Sequence, residues 1–255
     1  MCQKLLIFLA VTGTLAAVDL PYAGKWKMNT AKSDFGEGTI TFAQTASGEI
    51  EYTADGQSYT FKLDGKDYPA LLGQTAAWKQ IDPNTWQTVD KLNGKVLSTD
   101  KTTLAADGKT LTINTQGTKP NGGTMDETMV LQRVSGTSGL LGKWKTKTLK
   151  SSSPDIMELA AFGDDGLRLA VIDFNLTCEA KFDGKDYPCT GPTLAPGWTM
   201  SAKKSGSRAI EIIDKLNGKP TYQVTMTVSA DGKTLTETGG AVGVNEKFKA
   251  VYDRQ

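Results

Sequence analysis

The 255-residue chain carries 29 basic and 28 acidic side chains, a near-balance that leaves no field strong enough to gather nucleic acid or an anionic membrane surface. It contains no histidine, so the commonest general base and metal ligand at neutral pH is absent. Its 22% charged and 38% apolar residues are ordinary for a folded chain of one or two domains.

In chain order, the first feature is Met1 to Ala17, with a charge at Lys4, an apolar run from Leu5 to Val11 and small residues at Ala16 and Ala17. This is the layout of a secretory signal peptide, and the run is well short of the ~20 apolar residues that span a bilayer. A secreted or periplasmic chain without an integral membrane segment is expected. Removal of the peptide takes Cys2 with it and leaves Cys178 and Cys189 in a compartment where disulfides persist.

Gly24-Lys25-Trp26-Lys27 then opens a pattern that Gly142-Lys143-Trp144-Lys145 opens a second time. The blocks DGKDYP, DKLNGK and ADGKTLT begin at Asp64, Asp90 and Ala106, and recur in the same order from Asp183, Asp214 and Ala230. Such self-similarity marks a tandem duplication. The organisation read from it is a signal peptide at 1–17, a first repeat at 22–134 and a second at 140–254, each copy of about 115 residues and near the common domain size. The second copy carries a short insertion around Leu194 to Lys204, and the polar stretch Val134 to Leu140 is the joint.

Each copy is dense in turn dipeptides: Asp55-Gly56, Asp64-Gly65, Asn93-Gly94 and Asp107-Gly108, then Asp165-Gly166, Asp183-Gly184, Asn217-Gly218 and Asp231-Gly232. These favour the positive φ values of type I′ turns and predict hairpins. Between them apolar residues alternate with threonine, as at Leu111 and Ile113 and again at Tyr222, Val224, Met226 and Val228, which is the period of half-buried strands. The expected fold is all-β: two tandem antiparallel up-and-down β-barrels of about eight to ten strands each, closed so that no edge is exposed. One short helix is predicted over Pro154 to Phe162, capped by Ser153.

A two-residue turn at Asp183-Gly184 sets Cys178 opposite Cys189, within disulfide range across an antiparallel ladder. The same register sets Lys181 opposite Asp186. In the first copy it sets Lys62 opposite Asp67 and Phe61 opposite Tyr68, pairings that suit cross-strand neighbours. Tyr59 and Ala70 stand at the cysteine positions there, so the bridge is an accessory to the fold.

Gly-x-Trp on a first strand with an arginine near the end of the last resembles the calycin superfamily of lipocalins and fatty-acid-binding proteins. The residues are Gly24, Trp26 and Arg133, then Gly142, Trp144 and Arg254. The resemblance implies lipocalin-like barrels in which Trp26 with Arg133, and Trp144 with Arg254, close the floor through a cation–π contact of roughly 0.5 to 2 kcal/mol. It does not carry fatty-acid binding. No Thr-Asp-Tyr signature precedes a late strand, Asn29 to Gly38 is too short for a helical lid, and Tyr252-Asp253-Arg254 reverses the carboxylate-gripping order. A barrel for a small ligand is what remains implied.

Tyr52, Trp86, Phe174 and Ile212 are candidate ligand-lining residues on alternating strands, and equally candidates for simple core filling. Lys66, Lys109, Lys185 and Lys233 follow turn glycines and form either a basic rim or solvated hairpin tips. Asp164-Asp165-Gly166 lacks the spaced oxygens of a calcium loop and reads as a turn. Asn175-Leu176-Thr177 fits a glycosylation sequon. Serine has no histidine to activate it, and Glu211 with Asp214 is the nearest approach to a carboxylate acid–base pair. No catalytic residue, metal or cofactor is expected.

Two readings follow. One is a secreted, non-enzymatic binding protein for small apolar ligands. The other is an extracellular or envelope structural or interaction module with filled β-domains and no ligand cavity.

Overall fold

The computed structural model describes residues 20–35, 38–136, 138–152, 155–245 and 247–255, so the signal peptide expected at 1–17 lies outside the described residues. The first copy forms β1 (Gly24–Met28), β2 (Thr39–Gln44), β3 (Ile50–Ala54), β4 (Gln57–Phe61), β5 (Asp64–Pro69), β6 (Thr75–Asp82), β7 (Thr85–Leu92), β8 (Lys95–Leu104), β9 (Thr110–Thr118) and β10 (Thr124–Ser135). The second forms β11 (Gly142–Ser151), β12 (Ile156–Ala161), β13 (Gly166–Val171), β14 (Leu176–Lys181), β15 (Tyr187–Thr190), β16 (Trp198–Gly206), β17 (Ala209–Leu216), β18 (Lys219–Val228), β19 (Thr234–Ala241) and β20 (Phe248–Arg254). The fold is all-β, as the alternation predicts. Two ten-stranded antiparallel sheets result, one a closed barrel and one nearly closed.

The sheets do not follow the copies. The closed barrel takes β1 from the first copy and sets it between β12 and β20, while β11 of the second copy lies between β10 and β2 in the first barrel. Each copy has lent its first strand to the other. The joint is the cause. Only 136–141 separate β10 from β11, and Arg133 already faces Trp144 across the ladder, so the joint is the loop of a hairpin. Strands joined so closely pair with each other. Once β11 is committed there, β1 is the strand left to close the second barrel.

The tryptophan–arginine pairing expected within each copy is therefore corrected. The Arg254 guanidinium lies 4.1 Å from the ring centroid of Trp26, and that of Arg133 lies 4.0 Å from Trp144. Both indoles are fully buried. The two floors are built alike. Trp26 Nε1 donates to the Tyr22 carbonyl and Trp144 Nε1 to the Leu140 carbonyl, each at 2.9 Å. Arg133 donates to the carbonyls of Gly108, Leu141 and Gly139, and Arg254 to those of Gly232, Ala23 and Pro21. The glycine of the motif is required here. Gly24 and Gly142 sit at φ of 145° and 138°, and a Cβ on either would collide with the floor arginine or with backbone.

Three local expectations also change. Only Asp55-Gly56, Asn93-Gly94 and Asn217-Gly218 have positive φ at both residues. At Asp64, Asp107, Asp183 and Asp231 the carboxylate instead accepts from the amide two residues on, an Asx turn that needs positive φ at the glycine alone. The helix expected over Pro154 to Phe162 is strand β12, because Met157 and Leu159 point into the barrel with a period of two; Ser153 and Pro154 lie outside the described residues. Asp67 pairs with Lys91 and Asp186 with Lys215, rather than with Lys62 and Lys181.

The second DGKDYP hairpin forms as expected, with Cys178 opposite Cys189 and bonded to it at a Cα separation of 4.3 Å. In the first copy β5 pairs with β6 only, and the sheet parts between β4 and β5. Both turns carry the same Asp–Tyr hydrogen bond, Tyr68 to Asp64 and Tyr187 to Asp183. The covalent tie lies in the closed barrel at the place where the other sheet parts. A disulfide is consistent with an oxidising extracellular or periplasmic location.

Leu159, Leu167, Met200, Ile210, Val228 and Leu235 pack the second barrel beside Trp26, and Phe42, Phe61, Leu111 and Leu131 pack the first beside Trp144. A buried lysine joins the two. Lys119, just after β9, reaches Asp155 at 2.7 Å and Asp173 at 3.3 Å in the other copy. The Tyr222 hydroxyl donates to Asp55 at a second contact between the barrels.

Candidate functional site

Two concave sites stand out, one between the barrels and one inside the first. The groove between the barrels has a volume of about 710 Å³. One wall is the start of β8 with Val96 and Leu97, together with Leu72 and Met125. The opposite wall is Val171, Phe174 and Leu176 around the 3-10 turn before β14, with Leu194 and Ala195 from the insertion of the second copy and Trp198 at the start of β16. The walls meet closely at one end, where a Cβ on Gly73 would come within 2.8 Å of the Ala195 Cβ. Val96 is 59% exposed, a large apolar side chain left in water at the groove's lip.

The second site is a cavity of about 190 Å³ within the first barrel. Phe42, Tyr52, Tyr59 and Trp78 form its aromatic side, with ring centroids of 5.3 Å for Phe42–Tyr52 and 5.2 Å for Tyr52–Tyr59. The Trp78 indole N–H donates to the Tyr59 hydroxyl at 3.0 Å. Its other side is polar. Thr88 and Asp90 from β7 face inward beside Asp100 and Thr102 from β8, with Thr88 directly opposite Asp100 in the ladder. Burial, and then the neighbouring Asp100 carboxylate, push the Asp90 carboxyl up to about 7. Burial raises Asp100 as well, against a hydrogen bond from Thr115. Burial likewise raises the Tyr52 and Tyr59 hydroxyls.

The four candidate lining residues do not converge. Tyr52 lines the inner cavity, whereas Trp86 is buried toward the floor near Leu140. Phe174 lines the groove, with the Lys119 ammonium 5.6 Å from its ring centroid. Ile212 is buried in the core of the second barrel. The lysines at 66, 109, 185 and 233 are exposed, and Lys66 and Lys185 turn back to the aspartates of their own turns. Glu211 and Asp214 lie on opposite faces of β17 because their spacing is odd, so they form no pair. Asp214 instead faces Glu237 inside the second barrel; burial, then that neighbour, push it up to about 6, against a hydrogen bond from Trp198.

Among the described residues no group of three or more acidic, cysteine or histidine side chains could hold a metal ion, and no helix is long and apolar enough to cross a membrane. Comparison with protein-family models, curated proteins and solved structures finds no match. The double barrel is compatible with the superfamily that the Gly-x-Trp motif resembles.

Sequence reasoning missed Asp90 and Asp100. A signal for Asp100 exists in the chain, since alignment of the copies sets Trp78, Thr88, Asp100 and Thr102 against Ala202, Ile212, Val224 and Met226, and the strand registers agree; Asp90 aligns with an identical residue, Asp214. Three polar side chains replace three apolar ones at positions that face inward.

Proposed function

We propose that this chain is a secreted, non-enzymatic binding protein of calycin type, and that it takes up a small apolar molecule in the groove between its barrels. The observation that carries this reading is the apolar groove of about 710 Å³, shared by both copies and edged by Phe174 and the exposed Val96. Its size falls within the range of small-molecule sites, which favour junctions between domains. The insertion that distinguishes the second copy supplies Leu194 and Ala195 to one wall, so the groove draws on the segment in which the copies differ most.

The test is a titration of the full chain with the apolar fluorophore anilinonaphthalene sulfonate. Saturable fluorescence that Val96→Lys abolishes supports the groove, and equal fluorescence from that variant contradicts it. For the second barrel a structural role is favoured, because Ile212, Val224 and Met226 fill its interior.

A further inference from the structure

The cavity inside the first barrel adjoins the groove at Gln74, which lines both, and has a different chemistry. We propose that it is a binding site for a small organic cation, a protonated amine carried on a short arm from an aromatic ring. The aromatic face is Phe42, Tyr52, Tyr59 and Trp78, and ring faces attract cations through their quadrupole. Opposite stand two carboxyls, Asp90 and Asp100, and no lysine or arginine is among the described residues that line the space. The remaining polar groups suit a donor. Thr88 and Thr102 are 2% and 1% exposed, and neither their hydroxyls nor Oδ1 of Asp100 finds a hydrogen-bond partner within the described protein. Buried polar atoms are nearly always partnered, so these three take their partners from whatever the cavity holds, water or a ligand's donors. An ammonium brings three donors and no acceptor.

The fold itself does not ask for these residues. At the matching positions the second barrel carries Ile212, Val224 and Met226, all buried, and Ala202 where the first has Trp78. The second barrel keeps a buried carboxyl, Asp214, at the position of Asp90 and sets Glu237 beside it, but it has apolar side chains where the first barrel has Thr88, Asp100 and Thr102, and no indole where the first has Trp78. The first barrel is also the one whose sheet is open. The sheet parts between β4 and β5, where Tyr59 and Ala70 stand in place of the bridged cysteines, and both residues line the cavity. A cavity of about 150 Å³ already admits benzene. The space of about 190 Å³ therefore accommodates a ring with a short ammonium arm.

Calorimetric titration of the full chain with phenethylamine, and in parallel with its neutral isostere phenylethanol, tests the proposal. The amine is expected to bind at least about tenfold more tightly than the alcohol, the fold-change of one charge-assisted hydrogen bond. The combined variant Thr88→Ile, Asp100→Val, Thr102→Met copies the second barrel and is expected to fold and to lose the amine. Asp90→Asn with Asp100→Asn keeps the shape and is expected to lose it as well. Val96→Lys in the groove is expected to leave amine affinity unchanged, which keeps the two sites distinguishable. Equal binding of amine and alcohol, no binding of either, or undiminished amine affinity in the double asparagine variant would overturn the proposal.

Discussion

Arg254, next to the last residue of the chain, covers the indole of Trp26 at the centre of the first strand, with 4.1 Å between guanidinium carbon and ring centroid. The contact joins the two copies, and Arg133 over Trp144 joins them again at 4.0 Å. Each tryptophan is fully buried and donates to a carbonyl four residues earlier, so truncation removes packing and a hydrogen bond together. Trp26→Ala and Trp144→Ala are each expected to cost roughly 3 to 5 kcal/mol in denaturant unfolding. Unchanged unfolding midpoints for both variants would contradict the floor assignment.

The partner of each tryptophan can be read separately from its burial. In a double-mutant cycle, Trp26→Leu with Arg254→Ala is expected to show a coupling of about 0.5 to 2 kcal/mol. Trp26→Leu with Arg133→Ala is expected to be additive within about 0.5 kcal/mol, since the two belong to different floors. Coupling to Arg133 instead of Arg254 would restore the unexchanged arrangement.

The acidic interior predicts a pH dependence of definite sign. A carboxyl raised from about 3.9 in the unfolded chain binds more protons when folded, so its contribution is greatest at low pH and is lost as pH rises through the folded value. For Asp90, raised to about 7 by burial and Asp100, the loss runs from about pH 4 to about pH 7. The groups facing it are Asp100, Ser98, Tyr52 and Tyr59, none of them basic. Asp90→Asn is expected to raise the melting temperature at about pH 8 and to change it little at about pH 4. An equal shift at both would contradict the assignment.

Loss of the disulfide is expected to be local. The bridged residues are 11 apart, a loop for which the chain-entropy model gives about 3 kcal/mol. Cys178→Ser with Cys189→Ser is therefore expected to destabilise no more than either tryptophan truncation. Faster amide exchange is expected to be confined to β14 and β15. Exchange across the whole closed barrel would contradict that account.

What the sequence made legible was local. The repeats, the all-β fold and the Cys178–Cys189 register follow from turn dipeptides and a period of two, which neighbours in the chain determine. The exchange was not legible in the same way. β1 reads GKWKM and β11 begins GKWKT, so either strand fits either barrel, and the shortness of the joint decides between them. Asp90 and Asp100 were hidden for a similar reason. Asp90 opens the repeated DKLNGK block and reads as part of a turn, yet it keeps the inward parity of Trp86 and Thr88 on β7.

Cleavage of the chain between its two copies tests the strand exchange most directly. A protease site inserted beside Ser138 lies in the loop between β10 and β11, and cutting there leaves β1 in the sheet of one fragment's partner and β11 in the sheet of the other. Sedimentation of the cut protein under native conditions is expected to show a single species with the mass of the intact chain, parting only in denaturant. Two independently sedimenting halves would show that each copy closes on its own first strand.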